Sequence, residues 1–146
     1  MDFGQLGAGL VFGLAAMGSG IGIGIAGMAT VGAWKKCFIA NKGAPMLLLA
    51  FCGNPLSQTF YGFILMNSFK GALSNPANYG KGSLYLGYGI AAGVALMISA
   101  IFQGKVGACA ADAMVEKNKG FAQYMIILGI VETVALFAMV FTMISL

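Results

Sequence analysis

Four stretches without charge constrain this chain more than any other feature: Phe3 to Trp34, Gly43 to Phe69, Gly82 to Phe102, and Gly120 to Leu146 with one glutamate inside it. A helix of about 20 apolar residues crosses the hydrocarbon of a bilayer, and lipid offers no partner to an open strand edge or an irregular loop. The expected fold is therefore all-α and integral to a membrane, with four transmembrane helices arranged as two tandem helical hairpins. The first hairpin is expected over residues 1–75, with spans at about 5–33 and 45–69, and the second over 76–146, with spans at about 83–112 and 120–146. Composition agrees, since 60% of the residues are hydrophobic, 8% are charged and the mean hydropathy is +0.90. Too little polar surface remains to keep such a chain dissolved in water.

Three polar breaks separate the spans: Lys35 to Lys42, Lys70 to Lys81 around Ser74-Asn75-Pro76-Ala77-Asn78, and Asp112 to Lys119. Eight lysines face four acids, with no histidine and no arginine. No basic stripe exists to hold nucleic acid. Lys35, Lys36, Lys42, Lys105, Lys117 and Lys119 belong to the ends of the first and third loops, and only Lys70 and Lys81 to the other side. The positive-inside rule then places loops one and three in the cytoplasm and both termini outside, in a multi-pass protein of the cell membrane. Asp2 stands where a signal peptide carries lysines, so the first helix is expected to remain in the mature protein. Cys37, Cys52 and Cys109 form no CxxC pair and are read as reduced, small packing residues.

Sliding the chain on itself by about 74 residues lays Gly13 on Gly87 and Gln58 on Glu132, with spans, loops and charge bias coinciding at one offset. Glycine is dense in Gly18-Ser19-Gly20-Ile21-Gly22-Ile23-Gly24-Ile25-Ala26-Gly27 and recurs at Gly87, Gly89 and Gly93. Membrane helices associate by close packing of small residues, and glycine on several faces implies more neighbours than one chain supplies. A ring of many copies is expected, with the first and third spans lining its inner wall. The formal GxGxxG at Gly22 to Gly27 has no strand before it and no acidic residue about 20 positions on, so it is no dinucleotide fingerprint.

Glu132 is the single acidic residue inside the spans, set near the middle of the last in Gly129-Ile130-Val131-Glu132-Thr133-Val134. An ionised carboxylate there costs roughly 2.5 to 3.5 kcal/mol on insertion scales, so it must be neutralised. A proton, a bound cation or a basic partner can do this, and no lysine is expected at that depth. If the third loop turns near Asn118, residues whose numbers sum to about 235 face each other, which sets Gln103 level with Glu132. Gln58 reaches the same level through the repeat, flanked by Ser57 and Tyr61. A carboxylate, two amide carbonyls and a hydroxyl are the hard oxygens a cation such as Na⁺ takes, whereas a bare proton needs no glutamine. Pro55 frees a backbone carbonyl and opens the helix beside these residues.

Asn54-Pro55-Leu56-Ser57-Gln58-Thr59-Phe60-Tyr61-Gly62-Phe63, Gln103-Gly104-Lys105-Val106 and Val131-Glu132-Thr133 resemble the signature of the duplicated proteolipid of bacterial V-type ATPases, subunit K, in its Na⁺-binding kind. The resemblance implies a rotor-ring subunit that takes Na⁺, or alternatively H⁺, onto Glu132 and carries it past a stator. Gln58 and Gln103 would be amide ligands, Ser57 the hydroxyl ligand, and Asn54 the donor of a backbone carbonyl. Tyr61 would support Glu132 by a hydrogen bond, with Thr133 beside it. It further implies a homo-oligomeric ring in lipid, a stator subunit of the a/I type supplying an arginine, and a central stalk docking on cytoplasmic loops that carry Lys35, Lys36 and Lys117. ATP hydrolysis would belong to other subunits, and no organic cofactor is implied. Ser57 and Asn54 stand where sodium-binding relatives have threonine and an apolar residue. Two other classes compete, a proton-coupled small four-helix exporter using Glu132 and a junction-forming tetraspan. The exporter places its glutamate in the first helix, which is uncharged here, and the junction protein needs no aligned oxygens at mid-membrane.

Overall fold

The computed structural model describes residues 3–146, so Asp2 lies outside the described residues. Among the described residues every regular element is helical: α1 (Phe3–Ile39), α2 (Leu49–Gly53), α3 (Ser57–Leu73), α4 (Gly82–Lys117) and α5 (Phe121–Ser145), with short 3₁₀ turns at Met46–Leu48, Asn54–Leu56 and Pro76–Asn78. Three helices, α1, α4 and α5, are long and apolar enough to cross a membrane. Their glycines do not break them, because in lipid an unbonded backbone costs more than glycine's lost freedom.

The second charge-free run is not one uninterrupted α-helix. Pro55 has no N–H to give to the carbonyl four residues back, and the chain tightens into the 3₁₀ turn Asn54–Leu56 between α2 and α3. The helices also outrun the apolar stretches. Lys35 and Lys36 belong to α1, and Asp112, Glu116 and Lys117 to α4, so the third loop shrinks from the expected 112–119 to three residues, Asn118 to Gly120. Charged residues sustain a helix well once it leaves lipid. The turn is made by Asn118 and Gly120, both at positive φ, and a side chain at Gly120 would meet the Tyr124 ring.

Lys105 requires a correction. It lies within α4, two residues beyond Gln103, and not at a loop end, so a basic residue does occur near the depth of Gln103. Two residues turn a helix by about 200°, so Lys105 leaves on the opposite side, exposed, with Nζ 4.8 Å over the Phe102 ring. The lysine asymmetry becomes five against two, since Lys35, Lys36, Lys42, Lys117 and Lys119 share one end of the bundle and Lys70 and Lys81 the other.

α1 and α4 run parallel in close contact. A methyl group added at Gly7 would strike Tyr85, one at Gly18 would strike Met97, and one at Gly104 would strike the backbone of Gly22. α3 returns antiparallel to α1, Gly62 against Val11 and Ala15, and Pro55 against Gly22. α5 returns antiparallel to α4, with Ser99 opposite Val131 and Tyr85 donating to Leu146 O at 3.0 Å. Apolar clusters fill the two ends and the centre, around Phe51 and Leu128, around Leu65 and Leu96, and around Phe69 and Tyr85. Each draws on both halves of the chain. The cysteines are free, Cys37 buried and Cys52 partly so, but Cys109 is exposed and packs no core.

Candidate functional site

α5 carries Glu132 eleven residues after its first residue and thirteen before its last, roughly 17 and 20 Å from its ends at 1.5 Å per residue. Three side chains from two other helices converge on it. From α3, Tyr61 Oη donates to Glu132 Oε1 at 2.6 Å. From α4, Gln103 Nε2 lies 3.5 Å from Glu132 Oε2 and donates to Leu128 O at 3.2 Å. Gln58 Nε2 donates to Gln103 Oε1 at 2.9 Å, and both glutamines are 0% exposed. Ser57 Oγ reaches Gln58 Oε1 at 3.2 Å and Asn54 O at 3.0 Å. One hydroxyl has one proton, so Ser57 serves one of these acceptors at a time.

The local sequence explains the convergence. The 3₁₀ turn over Asn54–Leu56 lets the Asn54 carbonyl meet both the N–H and the hydroxyl of Ser57. The Asn54 side chain closes the same turn by donating to Ala50 O at 2.8 Å, a bond an apolar residue could not make. Gln58 and Tyr61, three apart, share a side of α3. The level of Gln103 and Glu132 follows from the antiparallel α4–α5 pair, whose facing residues Ser99 and Val131, and Tyr85 and Leu146, sum to slightly less than the 235 expected.

Both carboxylate oxygens of Glu132 face donors, the environment an ionised carboxylate needs. Gln103 links Glu132 to Gln58 by hydrogen bonds, and the Ser57 hydroxyl lies within reach of both Gln58 Oε1 and the Asn54 carbonyl. With one carboxylate and four neutral oxygens, the set matches a hard monovalent cation, since a divalent ion would leave a net buried charge. No cluster of three His, Cys, Asp or Glu residues occurs among the described residues.

Thr133 does not join the cluster. Its side chain is exposed, and its hydroxyl donates back to Ile130 O at 2.7 Å. One residue turns a helix by about 100°, which carries Thr133 away from the side Glu132 addresses. Ser99, by contrast, belongs to the cluster, although nothing in the sequence reading singles it out. It is buried, donates to Val131 O at 3.0 Å and accepts from Gln58 Nε2 at 3.4 Å. Its position four residues before Gln103 on one side of α4 is the signal that could have found it.

Residues 86–145 match the family model of the ATP synthase C subunit. That segment holds Ser99, Gln103 and Glu132. The whole chain is also similar to the A-type ATP synthase subunit K of Methanocaldococcus jannaschii, 30% identical over 143 residues, which is 98% of this chain and 61% of that protein. The chain thus spans about three fifths of the length of this relative. The matched segment is built on α4 and α5, and Glu132 is the acidic residue inside α5. The first half brings Ser57, Gln58 and Tyr61 to that glutamate from outside the matched segment.

Proposed function

We propose that this chain is a rotor-ring subunit, of the c or K type, of a rotary ATPase of the V or A kind, and that it carries Na⁺, with H⁺ as the alternative cargo, on Glu132. The observation that carries the reading is the meeting of two fully buried glutamine amides, Ser57 and Tyr61 with one carboxylate midway along the most apolar helix. A proton carrier needs a carboxyl group alone. Two buried amides that present oxygens suit a cation that must shed its water. Glu132, Gln58, Gln103, Ser57 and the Asn54 carbonyl are the proposed ligands, and Tyr61 the supporting donor.

The four helical spans form two tandem hairpins, and many copies close a ring in the lipid. Support comes from glycines that the single chain does not use: Gly9, Gly13, Gly20, Gly24 and Gly27 have no neighbouring atom within 4 Å of an added methyl group. They recur mostly at three- to four-residue steps along α1, the pattern through which membrane helices approach closely. Loading neutralises Glu132 and lets the ring element move through lipid at low electrostatic cost. A stator subunit of the a/I type offers the discharged carboxylate an arginine in trans. The lysine-rich end with Lys35, Lys36 and Lys117 faces the cytoplasm and meets a central stalk, both termini lie outside, and the membrane is the cell membrane. The chain is not itself catalytic, since ATP hydrolysis rests with other subunits. No observation in the fold favours the exporter.

The test is the rate at which a carboxyl-reactive carbodiimide labels Glu132 across pH, with and without Na⁺. Labelling at Glu132 that millimolar Na⁺ suppresses supports the Na⁺ carrier. Labelling indifferent to Na⁺ reassigns the cargo to H⁺, and absence of labelling removes the carrier reading.

A further inference from the structure

Ser19 is 2% exposed, and its hydroxyl is the one buried side-chain polar atom without a hydrogen-bond partner among the described residues. Serines in apolar helices ordinarily bond a carbonyl one turn back, and even the half-buried Ser68 makes that bond with Ile64. Ser19 leaves that bond unmade inside a helix packed on two others. Its position gives the reason. Ala15, Ser19 and Gly22 share one side of α1 at steps of four and three, and on the facing strip Pro55, Gln58 and Gly62 share one side at steps of three and four. Ala15 meets Gly62, and Gly22 meets Pro55, so Ser19 and Gln58 are the facing middle members. From the other side Gly18 meets Met97 and Gly22 meets Ala100, which sets Ser99 at the same level.

We infer that Ser19 is a positioning residue for the carried ion, the acceptor that receives the Gln58 amide when the site loads; this rests on the ion-carrier reading above. Gln58 Nε2 has two N–H groups, now shared between Gln103 Oε1 at 2.9 Å and Ser99 Oγ at 3.4 Å. In the inferred loaded state Gln103 Oε1 turns from Gln58 Nε2 to the cation, so that the oxygens of both glutamines face it. One N–H then loses its acceptor at a fully desolvated position, where an unmet donor opposes loading. The Ser19 hydroxyl, with both lone pairs free on the side of α1 that faces Gln58, takes that N–H. It thereby holds Gln58 Oε1 toward the ion without touching the ion itself.

The test measures the Na⁺ concentration that half-protects Glu132 from carbodiimide in the intact, membrane-embedded complex, for wild type, Ser19→Ala and Ser19→Gly. Both substitutions remove the acceptor, and glycine is tolerated elsewhere along α1, so the pair guards against a variant that fails to assemble. The expected result is a half-protecting concentration raised about five- to tenfold in both, the worth of one neutral hydrogen bond, with the pH profile of labelling in Na⁺-free buffer unchanged. A half-protecting concentration equal to wild type overturns the inference. A shifted Na⁺-free pH profile also overturns it, because Ser19 would then act on the carboxyl group or on packing in general. If wild type itself labels but is not protected by Na⁺, the cargo is H⁺, the Na⁺ reading fails first and this inference falls with it, an outcome distinct from failure of the variants alone.

Discussion

The Tyr61 hydroxyl, on α3, donates to Glu132 Oε1, on α5, at 2.6 Å, and so bridges the two halves of the chain at the depth of the partly buried carboxylate. A hydrogen bond to a charged group is worth about 1.5–3 kcal/mol where water is excluded. Tyr61→Phe keeps the ring and its packing and removes that bond. The expected outcome is Na⁺ retention weakened by about tenfold or more, read as faster release of radioactive Na⁺ from the purified complex.

Substitutions at Gln58 and Gln103 distinguish the two proposed cargoes. Replacing either by leucine, close in size and without oxygen, should raise the Na⁺ concentration needed for protection of Glu132 by more than about tenfold, since a proposed ligand and a hydrogen-bonded buried amide are lost together. Carbodiimide labelling of Glu132 should persist, because a protonated carboxyl group needs neither amide. Persistence of Na⁺ protection in both variants would reassign the glutamines to packing.

Glycines along α1 and α4 should divide sharply by position. Gly104→Ala forces a methyl group into the backbone of Gly22 and separates α1 from α4, at a cost of about 1–3 kcal/mol or more. It should lower stability in a detergent unfolding titration. Gly20 is exposed and a Cβ added there meets nothing within 4 Å, so with Gly20→Leu the fold of the single chain should hold while native mass spectrometry shows loss of the proposed ring. Retention of the ring by Gly20→Leu would sink the assignment of that side of α1 to contact between copies.

Lys36 and Asp112 link α1 to α4 beyond the site with Nζ and Oδ1 2.5 Å apart, yet both side chains are more than half exposed. Water and side-chain entropy cancel most of such an attraction. Lys36→Ala should change stability by less than about 1 kcal/mol, and any difference should vanish at high salt.

Much of the candidate site is legible in the sequence because lipid penalises every charge and every unmet amide. Against a background of leucine, isoleucine and glycine, Glu132, Gln58, Gln103, Ser57 and Tyr61 stand out, and antiparallel hairpin geometry together with the internal repeat sets them at one level. Ser99 and Ser19 do not stand out, because a serine is a common and cheap residue in a membrane helix, and only its neighbours reveal whether its hydroxyl is used. Thr133 misleads for the complementary reason, since nearness in sequence to Glu132 is not nearness in space on a helix. Lys105 misleads because a lysine that resembles a loop marker can equally leave a helix sideways.

The amino-acid sequence by itself determined the all-helical fold, the apolar spans, the turn near Asn118, and the break at Pro55. These follow from hydrophobic length, backbone hydrogen bonding without water and local steric limits. Only the tertiary structure decided which glycines α1 and α4 consume against each other, that Gln58 donates to Gln103 and Tyr61 to Glu132, and that the Ser19 hydroxyl is left free. Those outcomes depend on the rotation of each helix about its axis. Close packing of small residues settles that rotation, and a uniformly apolar surface does not encode it in any local pattern.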